Sequence, residues 1–174
     1  MNSGELVTRS TVWLALTIYV IHEALSAARR YQKHTTILWC LSAAGCVFFL
    51  AHVAAAFHYF YDWSHAVAYA DTARQTKEFT GWNSGGGIYL NYLFALIWTS
   101  EVAWSATPRG CSPRPAIWVW TVRAFFLLMI FNGAFFFVRG NVRWFGLLLC
   151  FSLMGSWWMQ AKRSIDWSLS AKSS

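Results

Sequence analysis

Charge is what this chain has least of. Asp, Glu, Lys and Arg make up 12% of its 174 residues, about half the ~25% of an ordinary soluble domain. Proline is scarce too, with 3 in the whole chain. At 57% hydrophobic residues, a soluble fold of this size lacks the polar groups to cover itself. Intrinsic disorder, a nucleic-acid-binding arm and a coiled coil are excluded by the same balance.

Signature motifs are equally absent. No pair among Cys40, Cys46, Cys111 and Cys150 has CxxC spacing, which argues against a thiol-disulfide relay and excludes c-type haem attachment. There is no Walker loop, no GxSxG and no HExxH, so phosphate-loop, serine-hydrolase and zincin chemistry have no anchor. One His/Asp cluster is present, against the several histidine boxes of membrane desaturases.

What is present is apolar length. Five runs, near 9–28, 35–61, 86–104, 116–138 and 142–159, approach the ~20 residues that cross a bilayer as helix. The last is the shortest. Strands of a membrane barrel would be shorter and alternating, so the expected fold is all-α. It is an integral membrane, multi-pass bundle of about five transmembrane helices in one domain, 1–174. The first run is not a cleaved signal peptide, because Glu5 precedes it and basic residues crowd its far end.

Basic residues set the expected orientation. Arg29, Arg30, Lys33, Arg109, Arg114, Lys162, Arg163 and Lys172 fall on one side, eight in number. The other side holds five: Arg9, Arg74, Lys77, Arg139 and Arg143. The positive-inside rule then places the N-terminus outside and the C-terminus in the cytoplasm. The 12 tryptophans fit belts at both interfaces, where an apolar ring with one N–H donor is at home. Between spans two and three lies an outer segment, 62–85. Its first part, 64–79, lacks Gly and Pro and predicts a surface helix; the glycines from Gly81 to Gly87 predict a turn.

Candidate chemistry gathers at that outer end. His58, Asp62 and His65 stand at i, i+4 and i+7, so a continuing helix would point them to about 0°, 40° and −20°, one face. Their residue types suit zinc, iron or copper. Along a straight helix, however, the two histidines differ by about 10.5 Å in rise, while metal–ligand bonds are ~2.0–2.2 Å. One ion can meet all three only if the helix breaks near Trp63. Otherwise Asp62 pairs with one histidine and another span completes the set. The plainer alternative is that these groups meet headgroups, with Asp62 or Ser64 capping the next helix. Asn91 and Asn132 lie at similar depth and are expected to face the bundle, orienting a ligand or tying helices.

A second polar group sits near the inner surface. Arg123 is inside a span, and a bare charge there is expensive, so it should pair with Glu101 or Glu23. That pair either ties helices or marks a proton path. His52 points away from the outer stripe, as a packing histidine would. His22 with His52 is the one bis-histidine pair the topology allows for haem b, which ranks behind a transition metal as cofactor.

The expected function is a metal-binding or redox site at the extracytoplasmic membrane surface. The alternative is a noncatalytic structural or accessory subunit of a membrane complex, in which polar residues serve packing and docking. Expected partners are the lipid bilayer and either a second copy or a membrane-complex subunit, without nucleic acid. A transporter fits less well, since no inverted halves are visible.

Overall fold

The computed structural model describes residues 2–28, 35–107, 114–136 and 142–170. Six helices hold these residues: α1 (Ser3–Ala28), α2 (Thr35–Phe60), α3 (His65–Thr80), α4 (Gly87–Ser105), α5 (Ala116–Phe136) and α6 (Val142–Ser170). No strand occurs among the described residues.

Local chemistry sets several of the ends. Asn2 Oδ1 accepts from the Gly4 N–H at 3.4 Å, and Arg9 reaches back one turn to Glu5 at 2.8 Å, which supports the start of α1. Ser64 caps α3 by accepting from Val67 N. Gly81 closes α3 at φ +78°, with its N–H on the Lys77 carbonyl, a left-handed cap that glycine reaches without a Cβ penalty. Pro115 precedes α5 and accepts from Trp118 N at 3.0 Å, as expected of a proline at a helix start.

Five of the helices close on one core. α2 packs on α1, α1 on α6, α6 on α5, α5 on α4, and α4 back on α2. Each contributes buried side chains, among them Tyr19, Phe49, Phe94, Trp98, Phe126 and Trp157. Phe94 meets Phe126 at 4.4 Å between ring centroids and Phe49 edge-on at 4.7 Å. Between helices in lipid, van der Waals contact rather than water expulsion drives association, so interlocked rings suit this centre. α3 stands apart and packs principally on the start of α4.

Among the described residues, three helical stretches, Ser3–Ala28, Thr36–Phe60 and Ala116–Gly133, are long and apolar enough to cross a bilayer. The chain is thus a multi-pass membrane protein whose surface partner is lipid. α4 is shorter and carries Asn91, Thr99, Ser100 and Glu101, and the last third of α6 carries Gln160, Lys162, Arg163 and Asp166, which lowers the apolar content of both. α6 also runs to Ser170, beyond the 142–159 expected of the fifth span.

Candidate functional site

α2 does not continue outward as a straight helix. It ends at Phe60, and Asp62 and Trp63 adopt φ of +46° and +58°. Two consecutive non-glycine residues in the left-handed region are strained, and such strain persists only where surroundings impose it. The Trp63 N–H donates to the Phe57 carbonyl at 3.1 Å, and the Ser64 N–H to the Tyr61 carbonyl at 2.7 Å. This elbow redirects the chain into α3.

The elbow separates the three candidate ligands among three settings. His58 lies in the last turn of α2, with its ring edge-on to Tyr59. Asp62 is in the turn itself. His65 opens α3. All three are exposed. His65 faces α4: Nδ1 is 3.0 Å from the Tyr92 hydroxyl, and Nε2 is 3.5 Å from the Tyr89 hydroxyl. Among the described residues, no group of three or more His, Cys, Asp and Glu side chains is placed to hold a metal ion.

Of the two asparagines expected to face inward, Asn132 is half-buried and Asn91 is exposed. Asn91 is therefore corrected to an outward position. The tyrosines beside it on α4, Tyr89 and Tyr92, turn to His65 instead.

α3 carries its own network. Asp71 accepts from Tyr61 at 3.2 Å, Arg74 at 2.6 Å and Gln75 at 2.7 Å, and Arg74 also reaches Glu78. Burial, reinforced by the Asp71 charge and hydrogen bond, pushes the Tyr61 phenol up to about 12. Gly85 lets the turn lie against α3, since a Cβ there would sit 2.5 Å from the Tyr69 carbonyl. Its role is close approach and not a special backbone angle.

The opposite end of the bundle holds the buried charges. Glu23 of α1 is 7% exposed. Arg123 of α5 lies 3.2 Å from its Oε2, and Trp157 of α6 donates its indole N–H to the same oxygen at 2.6 Å. Arg123 also donates to Gln160 at 2.6 Å and lies over the rings of Trp120 and Trp157. One carboxylate thus joins three helices. Glu101 does not take part; it pairs with Arg114 and accepts from Trp118 Nε1 at 3.1 Å. Arg114 reads as a loop charge in sequence, and only the fold shows it turned back onto α4.

The His52 ring shares a hydrogen bond of 2.8 Å with the Thr8 carbonyl, so it lies level with Thr8 on α1. His22 is a further fourteen residues along that helix, about 21 Å by helical rise. A single haem needs axial ligands at one depth, so the His22–His52 pairing is corrected: the two stand at different ends of the bundle.

No family model, no curated protein and no solved structure matches this chain.

Proposed function

We propose that this multi-pass membrane protein carries a metal-binding or redox site at its extracytoplasmic surface, around His58, Asp62 and His65. The observation that carries this reading is the elbow. Strained non-glycine residues concentrate at working sites, and here they are Asp62 itself and its neighbour. A transition metal, zinc, iron or copper, would take Asp62 and one histidine, with water or a partner's side chain completing its shell. Without metal, His65 and the Tyr92 hydroxyl form a ready proton pair.

The topology behind this reading has five crossings, with α4 and α6 added to the three stretches already long and apolar enough to cross. Both share the common core, and both turn large apolar side chains outward, as with Leu96 at 64% and Phe151 at 69% exposure. The basic residues then put the N-terminus and α3 outside.

Metal analysis of purified protein, wild type beside Asp62→Asn, tests the proposal. Metal in the wild type and a sharp loss in the variant would support it. His58→Ala and His65→Ala should lower occupancy unequally, because only one of them pairs with Asp62 on a single ion. No transition metal, together with unchanged folding and cellular activity in Asp62→Asn, would overturn it.

A noncatalytic accessory subunit is the second reading. It is favoured by Glu23, whose partners on α5 and α6 make it a helix tie.

A further inference from the structure

The elbow delivers His65 to two tyrosines of α4. Its ring lies 5.6 Å from that of Tyr89 and 5.8 Å from that of Tyr92, centroid to centroid. Each tyrosine takes one ring nitrogen. The Tyr92 hydroxyl is 3.0 Å from Nδ1, and the Tyr89 hydroxyl is 3.5 Å from Nε2. The first distance is that of an ordinary hydrogen bond; the second is longer than such a bond normally runs.

The longer spacing is what two ligands of one ion require. With metal–ligand bonds of ~2.0–2.2 Å, an ion touching two atoms 3.5 Å apart joins them at about 105–120°, near the tetrahedral angle. The shorter contact supplies the support. An imidazole that binds metal through Nε2 carries its proton on Nδ1, and that proton is normally held by an oxygen acceptor. The Tyr92 hydroxyl stands at that position. Tyr89 is 54% exposed and His65 is exposed, so water can reach the remaining coordination positions. The donor types also select the ion. A phenol becomes a phenolate ligand when a polarising cation displaces its proton. Imidazole suits zinc, copper and iron alike, but ferric iron, trivalent and oxygen-seeking, gains most from the phenolate.

We infer that His65 Nε2 and the Tyr89 phenolate are metal ligands at this end of the bundle, that Tyr92 positions the imidazole, and that the ion they select is ferric iron. The inference rests on the elbow being a metal site. It names His65 as the histidine that serves there and adds a ligand from α4. Binding forms an iron–oxygen bond, breaks the phenol O–H bond and releases that proton to water. The iron stays ferric, and nothing is oxidised or reduced.

The test loads the purified full-length protein, in mild detergent, with ferric nitrilotriacetate. After desalting it reads iron content and the visible spectrum. A phenolate on ferric iron gives a visible charge-transfer band, which carboxylate and imidazole ligands do not. Wild type should retain one equivalent of iron and show the band. Tyr89→Phe, which removes only a hydroxyl from an exposed ring, should lose the band and most of the iron. Tyr92→Phe should keep the band on the iron it holds, with affinity lowered about 10- to 100-fold. Tyr69→Phe alters a third ring near His65, 6.3 Å away, and should match wild type. Iron retained without the band, a band that survives Tyr89→Phe, or retention of zinc or copper but not iron would overturn the inference. Asp62→Asn, measured alongside, tells the two claims apart: its loss of metal upholds the elbow reading even where the tyrosine ligand fails. Retention of no transition metal overturns both.

Discussion

The two ends of this bundle handle polarity in opposite ways. At the α3 end, the candidate ligands His58, Asp62 and His65 are exposed around a strained turn, and the half-buried polar side chains beside them bond to near neighbours in the chain or across to α4. At the Glu23 end they are buried and bonded across three helices, on unstrained helical backbone. The first arrangement leaves groups free to meet something outside the protein; the second commits them to one another. Stability should therefore be concentrated at the Glu23 end, and tolerance to polar substitution at the elbow.

The largest effect should come from separating the buried pair. Arg123→Met leaves Glu23 charged among apolar groups and should destabilise by ~3–5 kcal/mol, read as a lower thermal midpoint in detergent. Adding Glu23→Gln should restore much of that loss. Fully additive losses would show that the two residues do not act as a pair, and would erase the contrast between the ends.

A smaller effect is expected at the glycine turn. Gly85→Val places a side chain where a Cβ already meets the Tyr69 carbonyl at 2.5 Å, and overpacking of this kind typically costs about 1–3 kcal/mol. Limited proteolysis should then cut within α3 well before the bundle unfolds. Protection equal to wild type would mean that α3 is not held by this approach.

Smaller again is the pH dependence of Tyr61. Its phenol is raised from 10.0 to about 12. Below the ordinary value both folded and unfolded forms keep the proton. As pH rises from there, the unfolded chain ionises first, so stability falls until the folded phenol also titrates. Tyr61→Phe should lack that part of the loss. Identical alkaline profiles for wild type and variant would remove Asp71 and burial as its cause.

The orientation itself is testable without any stability measurement. In a background free of native cysteines, Thr76→Cys should react with an impermeant thiol reagent in intact cells, and Thr107→Cys should not. The reverse pattern would exchange the two ends across the membrane.

Much of this architecture is legible in the apolar runs and turn residues alone. The break near Ser64, the surface helix and the glycine turn after it follow from side-chain caps and from missing Gly and Pro, which act locally. Partner choice among buried charges is not local. Arg123 has two acids within a plausible depth, and only the packing of α6, with Trp157 and Gln160, makes Glu23 the nearer one. Arg114 shows the same limit: a basic residue between spans reads as a headgroup contact, yet the chain folds it onto Glu101. The elbow is foreshadowed only as a condition on one metal meeting three ligands, because nothing in the residues at 62 and 63 requires a positive φ. By spacing alone His65 shares a helical face with His58, while the fold turns it to tyrosines on α4.

If the elbow is where this protein works, Asp62 should govern metal retention there. The most direct test is a zinc and copper titration of purified wild-type protein and Asp62→Asn, followed by metal analysis after desalting. The wild type should retain close to one equivalent of metal, and the variant should lose most of it with the fold intact. No retention in either protein, or equal retention in both, would contradict a metal site at Asp62 and leave the accessory-subunit reading in its place.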